Sequence, residues 1–72
     1  MVKEKRMSDF DRGFATAESD LNEGWFSVKF LDVEISKYSR GSVERNAVIA
    51  AGMGTDDFYD GYLAFLESRR SS

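Results

Sequence analysis

Apolar residues recur near the start of the chain at the spacing of an α-helix. They fall at i, i+4, i+7 and i+11, at Phe10, Phe14, Ala17 and Leu21. Ser8 precedes this row as an N-cap, and Asp11 follows it by three residues, which suits the positive end of the helix dipole. The pattern stops at residues 22–24, so it predicts a helix of about four turns.

The segment from Trp25 to Tyr38 fits two interpretations. Apolar residues alternate as in a strand at Phe26, Val28 and Phe30. Two rows at helical spacing cover the same segment: Val28, Leu31, Ile35 and Tyr38, and Phe26, Phe30 and Val33. A strand would need a partner in residues 43–49, which favour a helix because Ser42 precedes them, alanines follow and Gly52 ends the pattern. We therefore expect helices in both segments, with an αββα arrangement as the alternative.

The last element is a predicted helix with a cap at each end. Thr55 is its N-cap and two aspartates occupy its first turn, while Arg69 and Arg70 suit its negative end. Its apolar face holds Phe58, Tyr62, Phe65 and Leu66. The expected fold is all-α, a small three- to four-helix domain over residues 8–70, with a mobile leader of residues 1–7 and a tail of residues 71–72.

The first and last helices share a short motif. Residues 9–14 and 57–62 both read D-F-x-x-G followed by an aromatic residue. A glycine inside a helix costs roughly 1 kcal/mol relative to alanine, so Gly13 and Gly61 call for a reason. We interpret them as packing devices that let another helix or a ring approach the backbone; insertion of a partner's side chain is the alternative.

Composition narrows the classes of function. The chain of 72 residues contains no histidine and no cysteine, which excludes Ser-His-Asp and Cys-His sites, thiol chemistry and the usual zinc sites. A core of this size also leaves little room for a substrate pocket. We expect no enzyme activity, no catalytic residues, no metal and no cofactor.

Charge and hydropathy bear on partners and location. The net charge of -3 hides an acidic body, because residues 1–6 and the last four residues each carry +2 and the other 62 residues carry -7. Such a body argues against nucleic-acid binding, which depends on neutralising phosphates. The sequence has no apolar run of the ~18 residues that a membrane span needs and no signal peptide, so we expect a cytoplasmic protein without membrane contact.

The aromatic content points to an interface. Ten aromatic residues, each with about 150–250 Å² of surface, exceed what so small a core readily hides. We expect a partner-binding surface formed by Trp25, Phe26, Phe30, Tyr38 and Tyr59. A homodimer and a larger host protein are the two partners that this surface would suit.

Two resemblances add to this interpretation. The run of residues 46–58, an alanine-rich helix, a glycine turn and a capped helix, resembles the helix-turn-helix family, which implies a DNA-associated regulator as the alternative function. It departs from that family at Asp56, Asp57 and Asp60, where a DNA reader presents basic or polar groups.

As a whole, a short acidic chain without Cys, His or Pro and with an F-x-x-G-F helix resembles the small accessory proteins of tailed phages and prophages. That resemblance implies a protein that inhibits or modulates a host factor.

Overall fold

The computed structural model describes residues 7–70, whose regular structure is entirely helical. These residues form α1 (Asp9–Asn22), a 3₁₀ turn (Val28–Phe30), α2 (Leu31–Tyr38), α3 (Val43–Ala50) and α4 (Asp56–Arg70), with no strand among them. The all-α prediction is confirmed and the αββα alternative is wrong. The predicted leader, apart from Met7, and the predicted tail lie outside the described residues.

Hydroxyl side chains cap the predicted helix starts. Ser8 Oγ accepts the backbone N–H of Asp11 at 3.1 Å, at the start of α1. Ser42 Oγ caps α3 at 3.1 Å, and Thr55 Oγ1 accepts the N–H of Phe58 at 3.2 Å in α4. Each cap satisfies a donor that the helix itself leaves without a partner, so the boundaries follow from local chemistry.

The most extensive packing among the described elements joins α1 and α4, and it is centred on the two motif glycines. A Cβ atom at Gly13 would overlap the carbonyl oxygen of Phe58, and one at Gly61 would overlap the carbonyl oxygen of Phe10. Each glycine therefore receives the backbone of the opposite helix at the phenylalanine of the same motif. The predicted close approach is confirmed, and the group that approaches each glycine is the backbone of the opposite helix.

The two helices run side by side in the same direction. Near their starts the hydroxyl of Thr55 donates to Asp9 Oδ2 at 2.9 Å, and further along the rings of Phe14 and Phe65 meet edge to face at 5.3 Å. Parallel neighbours cannot be joined by a short turn, because the chain must return to the same end. Residues 23–55, which include α2 and α3, form that return connection.

The apolar row predicted for α1 is only partly buried. Ala17 is buried and Leu21 packs against the core, whereas Phe10 and Phe14 are more than one-third exposed. The reason is that Gly13 brings the α4 backbone to the centre of the contact. Large side chains on α1 then have room only at its flanks.

Helix α4 is the centre of the domain. Every residue from Phe58 to Leu66 is buried or partly buried, since α1 packs on one side and α2 on another. The buried apolar residues of the core are Ala17, Leu31, Ile35, Tyr59, Tyr62, Phe65 and Leu66. Within residues 7–70, no helix combines the length and the hydropathy that crossing a bilayer would require.

Candidate protein-binding surface

Four large apolar side chains between α1 and the middle of α2 point into solvent. Trp25 is 74% exposed, Val28 and Phe30 are each 59% exposed, and Val33 is 53% exposed. They lie within nine consecutive residues, and we refer to these four as the apolar surface. Single exposed apolar residues are common on soluble proteins, but a local concentration of this kind is not.

The end of α1 explains why Trp25 is exposed. Gly24 has a φ of 84°. Its N–H donates to the carbonyl of Leu21 at 3.1 Å, and the N–H of Trp25 donates to the backbone carbonyl of Asp20 at 2.9 Å. This is the Schellman ending, in which the residue at the position of Trp25 usually packs on the residue that accepts its N–H. Here that residue is the acidic Asp20, so the helix ending provides no apolar contact for the indole.

The Trp25 ring is nevertheless held in place. Its Nε1–H donates to Glu23 Oε1 at 3.2 Å, and the hydroxyl of Ser19 donates to Glu23 Oε2 at 3.3 Å. The polar end of the indole is thus tied to α1 while the rest of the ring remains accessible. Restricting a side chain before binding lowers the entropy cost of docking it on a partner.

The orientation of α2 exposes the other members of the surface. Leu31 and Ile35, four residues apart, face the core, so Phe30 and Val33 lie away from it. The preceding 3₁₀ turn is fixed by Ser27, whose Oγ accepts the N–H of Lys29 at 3.1 Å. This side-chain cap fixes the start of the 3₁₀ turn, whereas α2 begins without one.

The five predicted surface residues divide between the exterior and the core. Trp25 and Phe30 are exposed, whereas Phe26 and Tyr38 are partly buried and pack against the core. Tyr59 is buried; its ring stacks on Tyr38 at 5.4 Å, and its hydroxyl donates to the carbonyl of Met53 at 3.2 Å. The structure thus places two of the five on the exterior.

Sequence reasoning missed two members of the surface. Val28 and Val33 stood in the helical rows without being singled out as binding residues. The signal that could have found Val33 is the spacing of Leu31 and Ile35, which defines the buried side of α2. No comparable signal marks Val28, because a 3₁₀ turn of three residues has no periodicity of its own.

A buried arginine was also missed. Arg45 on α3 is 1% exposed, and its guanidinium donates to the carbonyl of Tyr38 at 2.9 Å and to the carbonyl of Asp56 at 2.9 Å. It also donates to Asp60 Oδ1 at 2.8 Å. Asp60 also accepts a hydrogen bond from a second guanidinium, since Nη2 of Arg40 donates to Asp60 Oδ2 at 2.6 Å. The hydrogen bond from Arg40, followed by that from Arg45, lowers the pKa of the Asp60 carboxyl.

This network bears on the helix-turn-helix resemblance. Two aspartates among the first five residues of α4, Asp56 and Asp60, bind Arg45, and the middle of α4 is covered by α1 and α2. The helix that would enter a DNA groove is therefore the central helix of the fold. Within residues 7–70, no three acidic side chains are grouped so that they could hold a metal ion.

Comparisons with protein-family models, with curated proteins and with solved structures find no match to this chain.

Proposed function

We propose that this chain is a non-enzymatic protein-binding module that docks its apolar surface on another protein. The observation that carries the proposal is the exposure, by more than half, of Trp25, Val28, Phe30 and Val33 within one short segment. Apolar patches with a polar surround are typical of protein interaction sites. Exposed Trp and Phe are also the residue types that supply large buried areas at the centres of interfaces.

The size of the surface fits one side of an ordinary interface. The four side chains expose on the order of 400 Å² of apolar area, taking about 150–250 Å² for a whole aromatic side chain. A standard interface buries about 800 Å² per partner, of which somewhat more than half is apolar. The apolar surface alone would supply most of that apolar share.

The partner that we propose is a larger host protein. This finer form of the proposal comes from the resemblance to phage and prophage accessory proteins, which implies an inhibitor or modulator of a host factor. The DNA-associated alternative has less support, because the first turn of α4 presents carboxylates and the helix behind it is enclosed. We therefore do not propose it as a second function.

Affinity purification from a host lysate tests the proposal when matched variants are compared. The surface variant carries Trp25→Ser and Phe30→Ser; the control carries Val43→Ser and Met53→Ser, which are 80% and 66% exposed elsewhere. We expect a stoichiometric partner to be retained by the wild type and the control and to be lost from the surface variant. Retention by all three proteins would contradict docking through the apolar surface.

Sedimentation velocity of the purified proteins tests whether the apolar surface binds a second copy of the chain. A dimer that dissociates in the surface variant and persists in the control would assign the surface to self-association. A monomeric wild type that captures no partner would contradict the proposal as a whole. Chemical unfolding accompanies both assays, and we expect the surface variant to lose less than about 1 kcal/mol because both side chains are exposed.

A further inference from the structure

A groove of about 320 Å³ lies beside the apolar surface, where the 3₁₀ turn and the start of α2 face the end of α4. We call it the basic groove; it is lined by Val28, Lys29, Leu31, Asp32, Arg69 and Arg70. Val28 belongs to both the groove and the apolar surface. A partner that covers the surface would therefore also meet the groove.

Positive charge is concentrated in this groove on an otherwise acidic domain. Residues 7–70 hold seven lysines and arginines, of which three line the groove together with one carboxylate, that of Asp32. Arg40 and Arg45 lie on Asp60, Lys37 lies on Glu34 at 3.3 Å, and within the groove Arg70 lies on Asp32. The three cations of the groove outnumber its one carboxylate, so the local charge favours anionic groups on a partner.

Both arginines of the groove contact other groups of the domain. Arg69 lies over the ring of Phe65 with its guanidinium carbon 5.3 Å from the ring centroid. Arg70 Nε approaches Asp32 Oδ1 at 3.2 Å, across the groove from α4 to α2. A planar guanidinium presents donors in a fork that matches a carboxylate, so exposed arginines suit carboxylate recognition.

We propose that the basic groove binds an acidic, apolar-containing segment of the partner protein. Its carboxylates would meet Lys29, Arg69 and Arg70, and an apolar side chain between them would cover Val28, which is 59% exposed. The inference rests on the proposed function, since it names the chemistry of the partner at the edge of the apolar surface. We propose a polypeptide because the groove shares Val28 with the apolar surface, so the protein that covers that surface would also reach the groove.

Model peptides test the charge preference without knowledge of the partner. The probes are three capped hexapeptides of sequence EEFLEE, QQFLQQ and KKFLKK, each titrated into the ¹⁵N-labelled chain while amide shifts are followed. We expect saturable shifts at Val28, Lys29 and Asp32 with EEFLEE, at a Kd of about 1 mM or below. Binding of QQFLQQ should be at least about fivefold weaker, and binding of KKFLKK weaker still.

Variants of the chain locate the effect. Replacing both arginines, Arg69→Gln with Arg70→Gln, should weaken EEFLEE binding about tenfold, and the control Arg12→Gln, at an exposed cation on α1, should leave it unchanged. Far-ultraviolet circular dichroism checks that the last turn of α4 survives. If the double variant loses that turn, Lys29→Gln serves in its place, with an expected weakening of about threefold.

Three results would overturn the proposal. Equal affinity for EEFLEE and QQFLQQ would contradict the preference for acidic segments. It would leave the proposed function untouched, because that function is tested separately with the Trp25→Ser, Phe30→Ser variant. Absence of shifts in the groove, or shifts at other residues only, would show that the groove does not bind such segments. Tighter binding of a thymidine oligonucleotide than of EEFLEE would assign the cations to phosphates.

Discussion

Arg45 is the residue whose role depends most on tertiary structure. It is the one buried residue of α3, and its guanidinium joins the end of α2 to the start of α4 through two backbone carbonyls and two carboxylates. A buried arginine is tolerated when most of its donors are matched, because the transfer of an unpaired charge from water is costly. Nη1 and Nη2 of Arg45 are bonded, whereas its Nε has no hydrogen-bond partner among the described residues. Asp60, 27% exposed at its side chain, supplies the shortest of the carboxylate contacts to this guanidinium.

Asp60→Asn should therefore lower the free energy of unfolding by about 2–3 kcal/mol, because the buried guanidinium would keep only one carboxylate partner. Asp57→Asn is the matched control, since Asp57 is an exposed aspartate one turn earlier in the same helix, and it should change stability by less than about 0.5 kcal/mol. Urea unfolding at neutral pH measures both. Equal effects of the two substitutions would contradict the assigned role of Asp60.

The pH dependence of stability provides a second test of the role of Asp60. Hydrogen bonds from Arg40 and Arg45 hold the pKa of Asp60 below its ordinary value of 3.8, so its contribution to stability is present above that value. The contribution is lost as the pH falls through the lowered pKa of the folded state. The wild type should consequently lose more stability than Asp60→Asn between about pH 4 and pH 2.

At the scale of elements, the α1–α4 pair is organised by the repeated glycine motif. Gly13 and Gly61 hold the same position in the two motifs, and their contacts are reciprocal: each glycine faces the carbonyl of the phenylalanine in the opposite motif. This part of the fold was predictable because a glycine inside a capped helix has few explanations other than close approach. The sequence did not predict which group approaches each glycine, since the motif carries no information on which helices become neighbours.

Alanine at either motif glycine should destabilise the protein, although alanine favours helix by roughly 1 kcal/mol where nothing opposes it. The new Cβ would overlap a backbone carbonyl, and a helix must move to relieve it, so we expect a net loss of about 1–3 kcal/mol for Gly13→Ala and for Gly61→Ala. Thermal or urea unfolding measures each. The double variant should cost less than the sum, because the first substitution already separates the helices; strict additivity would argue against a shared crossing.

At the scale of the whole molecule, the three tyrosines connect the parts of the fold. Tyr38 on α2 stacks on Tyr59 of α4 at 5.4 Å, and the hydroxyl of Tyr62 donates to Asp20 Oδ2 on α1 at 2.9 Å. Burial raises the pKa of Tyr38 and Tyr59, and burial followed by the hydrogen bond to Asp20 raises that of Tyr62 strongly. These are the only tyrosines of the chain, so every phenol titrates later in the folded state.

Stability should consequently fall as the pH rises above about 10, because the tyrosines of the unfolded chain ionise there while those of the folded chain stay neutral. Below about pH 9 the tyrosines should contribute no pH dependence. Urea unfolding over this range and the ultraviolet absorbance of phenolate measure the effect. The decline should be smaller in Tyr62→Phe, which lacks the most strongly shifted group; an equal decline would contradict the assignment to Tyr62.

The sequence by itself determined the features that depend on residues within one or two turns of each other. Ser8, Ser42 and Thr55 cap helices as predicted, since a cap is a hydrogen bond between near neighbours. Only the tertiary structure decided which side chains each helix hides. Arg45 is buried and Trp25 exposed, against the order that hydropathy alone would give, because burial depends on the chemistry of whatever packs opposite. Carboxylates and carbonyls converge on Arg45, whereas the helix ending that places Trp25 sets it beside an acidic residue and leaves its ring free for a partner.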